Sequence, residues 1–161
     1  MRKPVPPANL PAAGEGKRGP EGHIAYLLRQ AAAVQRLRME RTLADLDVTP
    51  AQFVILTLLK AYPGISNADL ARLALLTPQT VSVIVANIEK RALVGRLPHA
   101  VHGRILHLII TPAGQALLAK CRQRVDALEG ALVASLAPGE ERIIRQWLVK
   151  VALDGAEGAA D

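Results

Sequence analysis

Aromatic residues are almost missing from this 161-residue chain: one Phe, one Trp and two Tyr, 2% of the sequence. Proteins that hold single-stranded nucleic acid stack bases on exposed rings, so that mode of binding is excluded. Cysteine occurs once, at Cys121, and one thiol makes no internal disulfide. No stretch reaches the roughly 18 continuous apolar residues of a membrane span. The basic start Met1-Arg2-Lys3-Pro4 lacks the apolar run of a signal peptide. A cytoplasmic protein with no membrane partner is expected. A Gly-rich phosphate loop, a nucleophile elbow and paired metal-ligand motifs are also absent. No enzyme is read here, and no cofactor or metal is called for.

What is present is a basic balance. Lys and Arg number 20 against 14 Asp and Glu, a net charge of +6, which favours an anionic partner such as nucleic acid. Half of the residues are hydrophobic, enough for the core of one domain. Residues 1–21 hold five of the eleven prolines and three glycines, and read as a disordered basic tail. Residues 154–161 are small and acidic and read as a frayed end. Residues 22–153 between them make the domain.

The stretch from Ser66 to Thr111 carries the most information. Ser66 with Asp69 three residues on predicts a capping box at the start of a short helix. Thr77 caps a second helix, with Pro78 at its first position, where no N–H is needed. Val81, Ile84, Val85 and Ile88 recur at helical spacing and predict its buried stripe. The opposite side offers Gln79, Thr80, Ser82, Val83 and Ala86, small and amide side chains suited to base edges in a major groove. Branched runs at 93–97 and 105–110 then predict a hairpin around Gly103 and Arg104. Lys90, Arg91, Arg96 and Arg104 are phosphate or groove candidates, and His102 joins them at the hairpin tip. His99, His102 and His107 lack a fourth ligand for zinc. The fold class expected is mainly α with a small β-hairpin wing: a winged helix-turn-helix over about 48–111.

Helical patterns flank that unit at about 22–46 and 112–153. Ile24, Leu27, Leu28, Ala31 and Val34 line one side of the first. Thr49, Pro50 and Gln52 predict a capping box for the helix that follows. Leu118, Cys121, Val125, Leu128 and Leu132 are spaced 3, 4, 3 and 4 apart, a heptad-like seam. Ile144, Trp147, Leu148 and Val151 form a last apolar stripe. Outer helices this apolar call for a second copy of the chain, with Ile24, Leu27, Leu28, Leu128, Leu132, Ile144, Trp147 and Leu148 at a twofold interface.

The run LTPQTVSVIVANIEKRALVGRLPHAVHGRILHLIITPAGQALL, with Val48-Thr49-Pro50-Ala51-Gln52 upstream, resembles the DNA-binding core of the MarR-family transcription regulators. The likeness spans roughly residues 22–153. It implies a homodimer with interlocked N- and C-terminal helices, a double-stranded DNA operator, repression of nearby genes, and release by a small anionic or phenolic effector. Thr77 joins the candidate DNA-binding residues on this basis, and Arg38 and Arg41 on the first helix are candidates to meet an anion. Two features depart from the family pattern. Ser82 is followed by Val83 where arginine is common, and the tip His99-Ala100-Val101-His102-Gly103-Arg104 lacks the usual acidic residue and paired arginines. Two other readings of the chain stand beside this one: a winged-helix module used only for protein contacts, and a thiol-based redox sensor acting through Cys121.

Overall fold

Six helices and one hairpin follow each other along the chain in the computed structural model, which describes residues 10–98 and 106–157. Helix α1 spans Ile24–Leu43, α2 Pro50–Ala61, α3 Asn67–Ala74 and α4 Pro78–Lys90. Strands β1 (Val94–Pro98) and β2 (Leu106–Ile110) come next, then α5 (Pro112–Val133) and α6 (Glu140–Glu157). The strands pair antiparallel, with Val94 opposite Ile110, Arg96 opposite Leu108 and Pro98 opposite Leu106.

Local chemistry sets most helix starts. Thr49 Oγ1 accepts from the Gln52 amide at 3.2 Å, and Gln52 Oε1 accepts from the Thr49 amide at 3.0 Å, so the expected box forms. Thr77 and Thr111 cap α4 and α5 by accepting one amide each, from Thr80 and Gly114, and each is followed by proline. The Ser66 box is only half made. Its hydroxyl accepts from the Asp69 amide at 3.0 Å, but the Asp69 carboxylate takes the Ser66 hydroxyl (2.7 Å) and Arg72 (2.6 Å) rather than the Ser66 amide. A guanidinium one turn on draws the carboxylate away from the helix end. Helix α3 closes at Leu75, held left-handed at φ 54°, while the Leu76 amide reaches back to the Ala71 carbonyl at 3.0 Å.

Val81, Val85 and Ile88 are buried and Ile84 is half-buried, so the stripe of α4 faces inward as its spacing requires. They meet Ile55, Leu56 and Leu59 of α2, Leu70 of α3, Leu93 and Val94 at the start of β1, Leu108 of β2 and Leu118 of α5. Each such side chain stabilises the fold by about 1.5–3 kcal/mol through its burial. A smaller cluster joins Leu43, Val48 and Cys121, with Phe53 and Leu117 packed against both clusters.

The α5 seam divides between its own domain and open surface, and two expectations change at the ends of the chain. Leu118 and Cys121 are fully buried in their own chain, Val125 and Leu128 are half-buried, and Leu132 is 43% exposed. The last turns of α5 border an apolar groove shared with α1 and α6, where Leu132 is left uncovered. Within the tail, residues 10–22 take up a turn of 3-10 helix at Gly16–Arg18, with the Gly14 amide on the Arg18 carbonyl at 3.1 Å. Gly14 and Gly16 at positive φ let the chain wrap that tightly. Helix α6 continues to Glu157, into the segment read as frayed; a small, acidic composition does not by itself stop a helix.

Candidate nucleic-acid interface

Helix α4 turns its outer face to solvent, and hydrogen bonding divides that face in two. Thr77 is occupied as the cap: its Oγ1 accepts from the Thr80 amide at 3.2 Å and lies 2.9 Å from Thr80 Oγ1. Ser82 donates to the Pro78 carbonyl at 2.9 Å and accepts from Asn67 Nδ2 at 3.3 Å. These hydroxyls therefore hold α4 in shape and hold it against the start of α3. Gln79, Val83 and Ala86 are exposed at i, i+4 and i+7, one ridge along the helix, with Asn87 and Lys90 further on. Val83 is 62% exposed, so it faces outward despite its branched apolar side chain.

The cations are less free than the sequence suggests. Glu89 holds Arg96 in a fork, Oε1 to Nε at 2.9 Å and Oε2 to Nη2 at 3.2 Å. That hydrogen bond keeps the Glu89 carboxyl below its ordinary value and raises the Arg96 guanidinium. Arg91 is drawn inward: its Nη1 donates to the Asp47 carbonyl at 2.6 Å. Lys90 is exposed. His102 and Arg104, with His99, lie outside the described residues. His107 sits on β2 with Nδ1 at 2.9 Å from the Gly64 carbonyl, linking the hairpin to the loop before α3. Asn67 and Asp47 carry no motif and were not among the sequence candidates.

The predicted interface residues lie on the outer helices. Ile24 (64% exposed), Ile144 (39%), Trp147 (38%) and Leu148 (44%) leave apolar surface uncovered, while Leu27 and Leu28 are half-buried. An apolar groove of about 440 Å³ runs between α1, α5 and α6, lined by Leu28, Ala32, Leu132, Leu136, Trp147 and Leu148 among others. Uncovered apolar surface of this kind marks an interaction face. Arg38 and Arg41 are exposed on α1. Among the described residues, no single helix is long and apolar enough to cross a membrane.

Cys121 is fully buried beside Leu43 and Val48. Burial pushes its thiol up from the ordinary value, against a smaller opposite pull from Arg124. A raised thiol contributes stability below the unfolded-state value and loses it as pH rises through the folded one, so any pH effect falls on the alkaline side. A disulfide reagent is expected to react with Cys121 in native protein at least about a hundredfold more slowly than in urea-unfolded protein. Equal rates, followed by absorbance, would restore the redox-sensor reading.

Two capped helices, the second with an exposed ridge of Gln79, Val83 and Ala86, followed by a hairpin packed on their core, define a winged helix-turn-helix protein. A model of the MarR family matches residues 46–105. The HTH-type transcriptional repressor Rv2887 of Mycobacterium tuberculosis is 32% identical over 131 residues, covering 81% of this chain and 94% of the relative. Similar solved structures include the S. aureus MepR–DNA complex, with a TM-score of 0.76, 26% identity and coverage of 83% of this chain and 99% of that one. The M. tuberculosis Rv2887 complex with salicylic acid gives a TM-score of 0.67 at 31% identity, covering 82% and 98%. The chain belongs to the MarR family of transcription regulators.

Proposed function

We propose that the chain is a ligand-responsive transcriptional repressor that binds a pseudo-palindromic double-stranded DNA operator as a homodimer, in the cytoplasm. The observation that carries the reading is the ridge Gln79–Val83–Ala86 on a capped, core-anchored α4, in a fold similar to a regulator solved on DNA. Glutamine pairs bidentately with adenine, and small apolar groups pack on the thymine methyl. The uncovered faces of α1, α5 and α6 supply the twofold contact. That contact sets two recognition helices about one turn apart, ~10 bp centre to centre. Similarity to the salicylic-acid complex supports a small aromatic acid as effector, bound where the winged unit meets the dimer helices, with Arg38 and Arg41 as candidate contacts. An effector regulates only if it favours one spacing of the recognition helices over another.

Selection of duplexes from a random pool, followed by fluorescence anisotropy, tests this. A palindromic site, affinity falling steeply with salt, and release by salicylate are the expected results. A salt-insensitive interaction, or no selected duplex, would overturn the regulator reading. Tight salicylate binding that leaves operator affinity unchanged would overturn the regulatory part alone.

Val83 makes a sharper prediction. A branched aliphatic group donates no hydrogen bond to guanine, so the half-site is expected to lean to A·T beneath it. Val83→Arg should raise affinity for all duplexes and shift preference toward guanine nearby by about 1–3 kcal/mol. Identical selected sequences for wild type and variant at every position would reject base reading by Val83.

A further inference from the structure

The end of the recognition helix is tied to the dimer helices through one short turn. Helix α1 runs on into a turn of 3-10 helix at Ala44–Leu46, which closes at Asp47 in the left-handed region, φ 52°. Carbonyls at such an end lack partners within the helix. Two arginines from distant parts of the chain supply them. Arg91, just past the end of α4, donates from Nη1 to the Asp47 carbonyl at 2.6 Å, and its Nη2 lies 3.6 Å from the Asp47 carboxylate. Arg124 of α5 donates to the Thr42 carbonyl at 3.3 Å and pairs with Asp45. Two helices thus converge on the same six residues, α4 through Arg91 and α5 through Arg124.

The Arg91 side chain is only 33% exposed, whereas that of Asp47 is 94% exposed, so the backbone carbonyl is the main partner and the carboxylate adds little. A single N–H of a planar guanidinium meets that carbonyl, and the shorter, freely rotating ammonium of a lysine does not reproduce its reach and direction. We propose that Arg91 is a positioning residue: through Asp47 it couples the C-terminal end of α4 to the end of α1, and so sets the spacing of the two recognition helices that the dimer presents to DNA. The inference rests on the dimeric DNA-binding reading above. Without this tie α4 stays attached through its apolar stripe and through Ser82–Asn67, so the fold persists while the angle of α4 to α1 loosens.

The test uses the duplex selected by the full-length wild-type protein, with the spacer between half-sites left as selected, shortened by one base pair or lengthened by one. Wild type, Arg91→Lys, Arg91→Ala and Lys90→Ala are compared by anisotropy over a salt series, with thermal melting to confirm folding. Both Arg91 variants are expected to lose about fivefold or more of the preference for the selected spacer. Arg91→Lys should do so with an unchanged salt slope, since the charge remains. Lys90→Ala should weaken all three duplexes alike. Arg91→Lys with wild-type spacer preference would overturn the proposal, and would do so even if Arg91→Ala failed to fold. Uniform weakening by Arg91→Ala, with the salt slope lower by about one, would make Arg91 a phosphate contact instead. A wild type that selects no duplex fails before any variant is compared, and that result sinks the regulator reading and this inference together.

Discussion

Gly114→Ala is expected to destabilise the protein by about 3 kcal/mol or more, through overpacking against backbone. Gly114 lies in the first turn of α5, fully covered. A Cβ built there would overlap the Leu93 carbonyl oxygen and stand 2.9 Å from Ile110 Cγ1. The carbonyl belongs to the entry of β1 and has no rotamer to escape into. That same carbonyl accepts from the Thr111 amide at 3.1 Å, so moving it disturbs the junction of hairpin and α5. In a domain of this size the loss should lower the melting temperature by about 6–12 °C. Gly130→Ala, further along α5 with nothing of its own chain within 4 Å of the new Cβ, should be neutral or gain up to about 1 kcal/mol of helix propensity. Urea titration of both variants checks the pair. Similar stability changes at the two positions would show that the close approach at Gly114 does not matter.

Leu132→Glu combined with Leu148→Glu is expected to leave a monomer with operator affinity about a hundredfold or more below wild type. Both residues line the groove between α1, α5 and α6, and each is more than 40% exposed within the single chain. Two new carboxylates in each chain put four at a twofold contact, and Arg145, the cation lining the groove, is already paired with Glu129 and Glu141. Once the dimer is lost, the second half-site no longer gains from the first, and avidity of about 10²–10⁴ disappears. Affinities for whole and half operators should then converge. Gln146→Glu adds a charge to α6 off the stripe of Ile144, Trp147 and Leu148, and should leave both mass and affinity near wild type. Light scattering at micromolar concentration and anisotropy on the two duplexes decide the matter. A double variant that remains dimeric would move the interface elsewhere.

Legibility in the sequence followed the range of the interactions. Thr49 with Gln52 and Thr77 with Pro78 were readable because a cap needs only its own next three residues. The buried stripe of α4 was readable because a 3.6-residue period sorts its faces before anything packs on them. The Ser66 box was misread for a local reason: Arg72 competes for the same carboxylate, and the motif does not weigh competitors. Arg96 was read as a phosphate or groove candidate, and Glu89 pairs with it across a helix-to-strand corner. Ser82 was read as a base-reading candidate, and Asn67, fifteen positions earlier, donates to its hydroxyl. Nothing in the spacing of either pair announces the contact.

Composition, caps and periodicity alone determined the winged helix-turn-helix, its basic character and which face of α4 turns outward, because each of these is decided by neighbours a few residues apart. The tertiary structure decided which side chains on that face are hydrogen-bonded within the chain, that Cys121 lies buried, that the α5 seam divides between its own domain and open surface, and that Arg91 ends on Asp47. Those outcomes depend on which elements meet across separations such as the 44 residues from Asp47 to Arg91. Only the packed core, by fixing helix angles, brings such groups within hydrogen-bond reach.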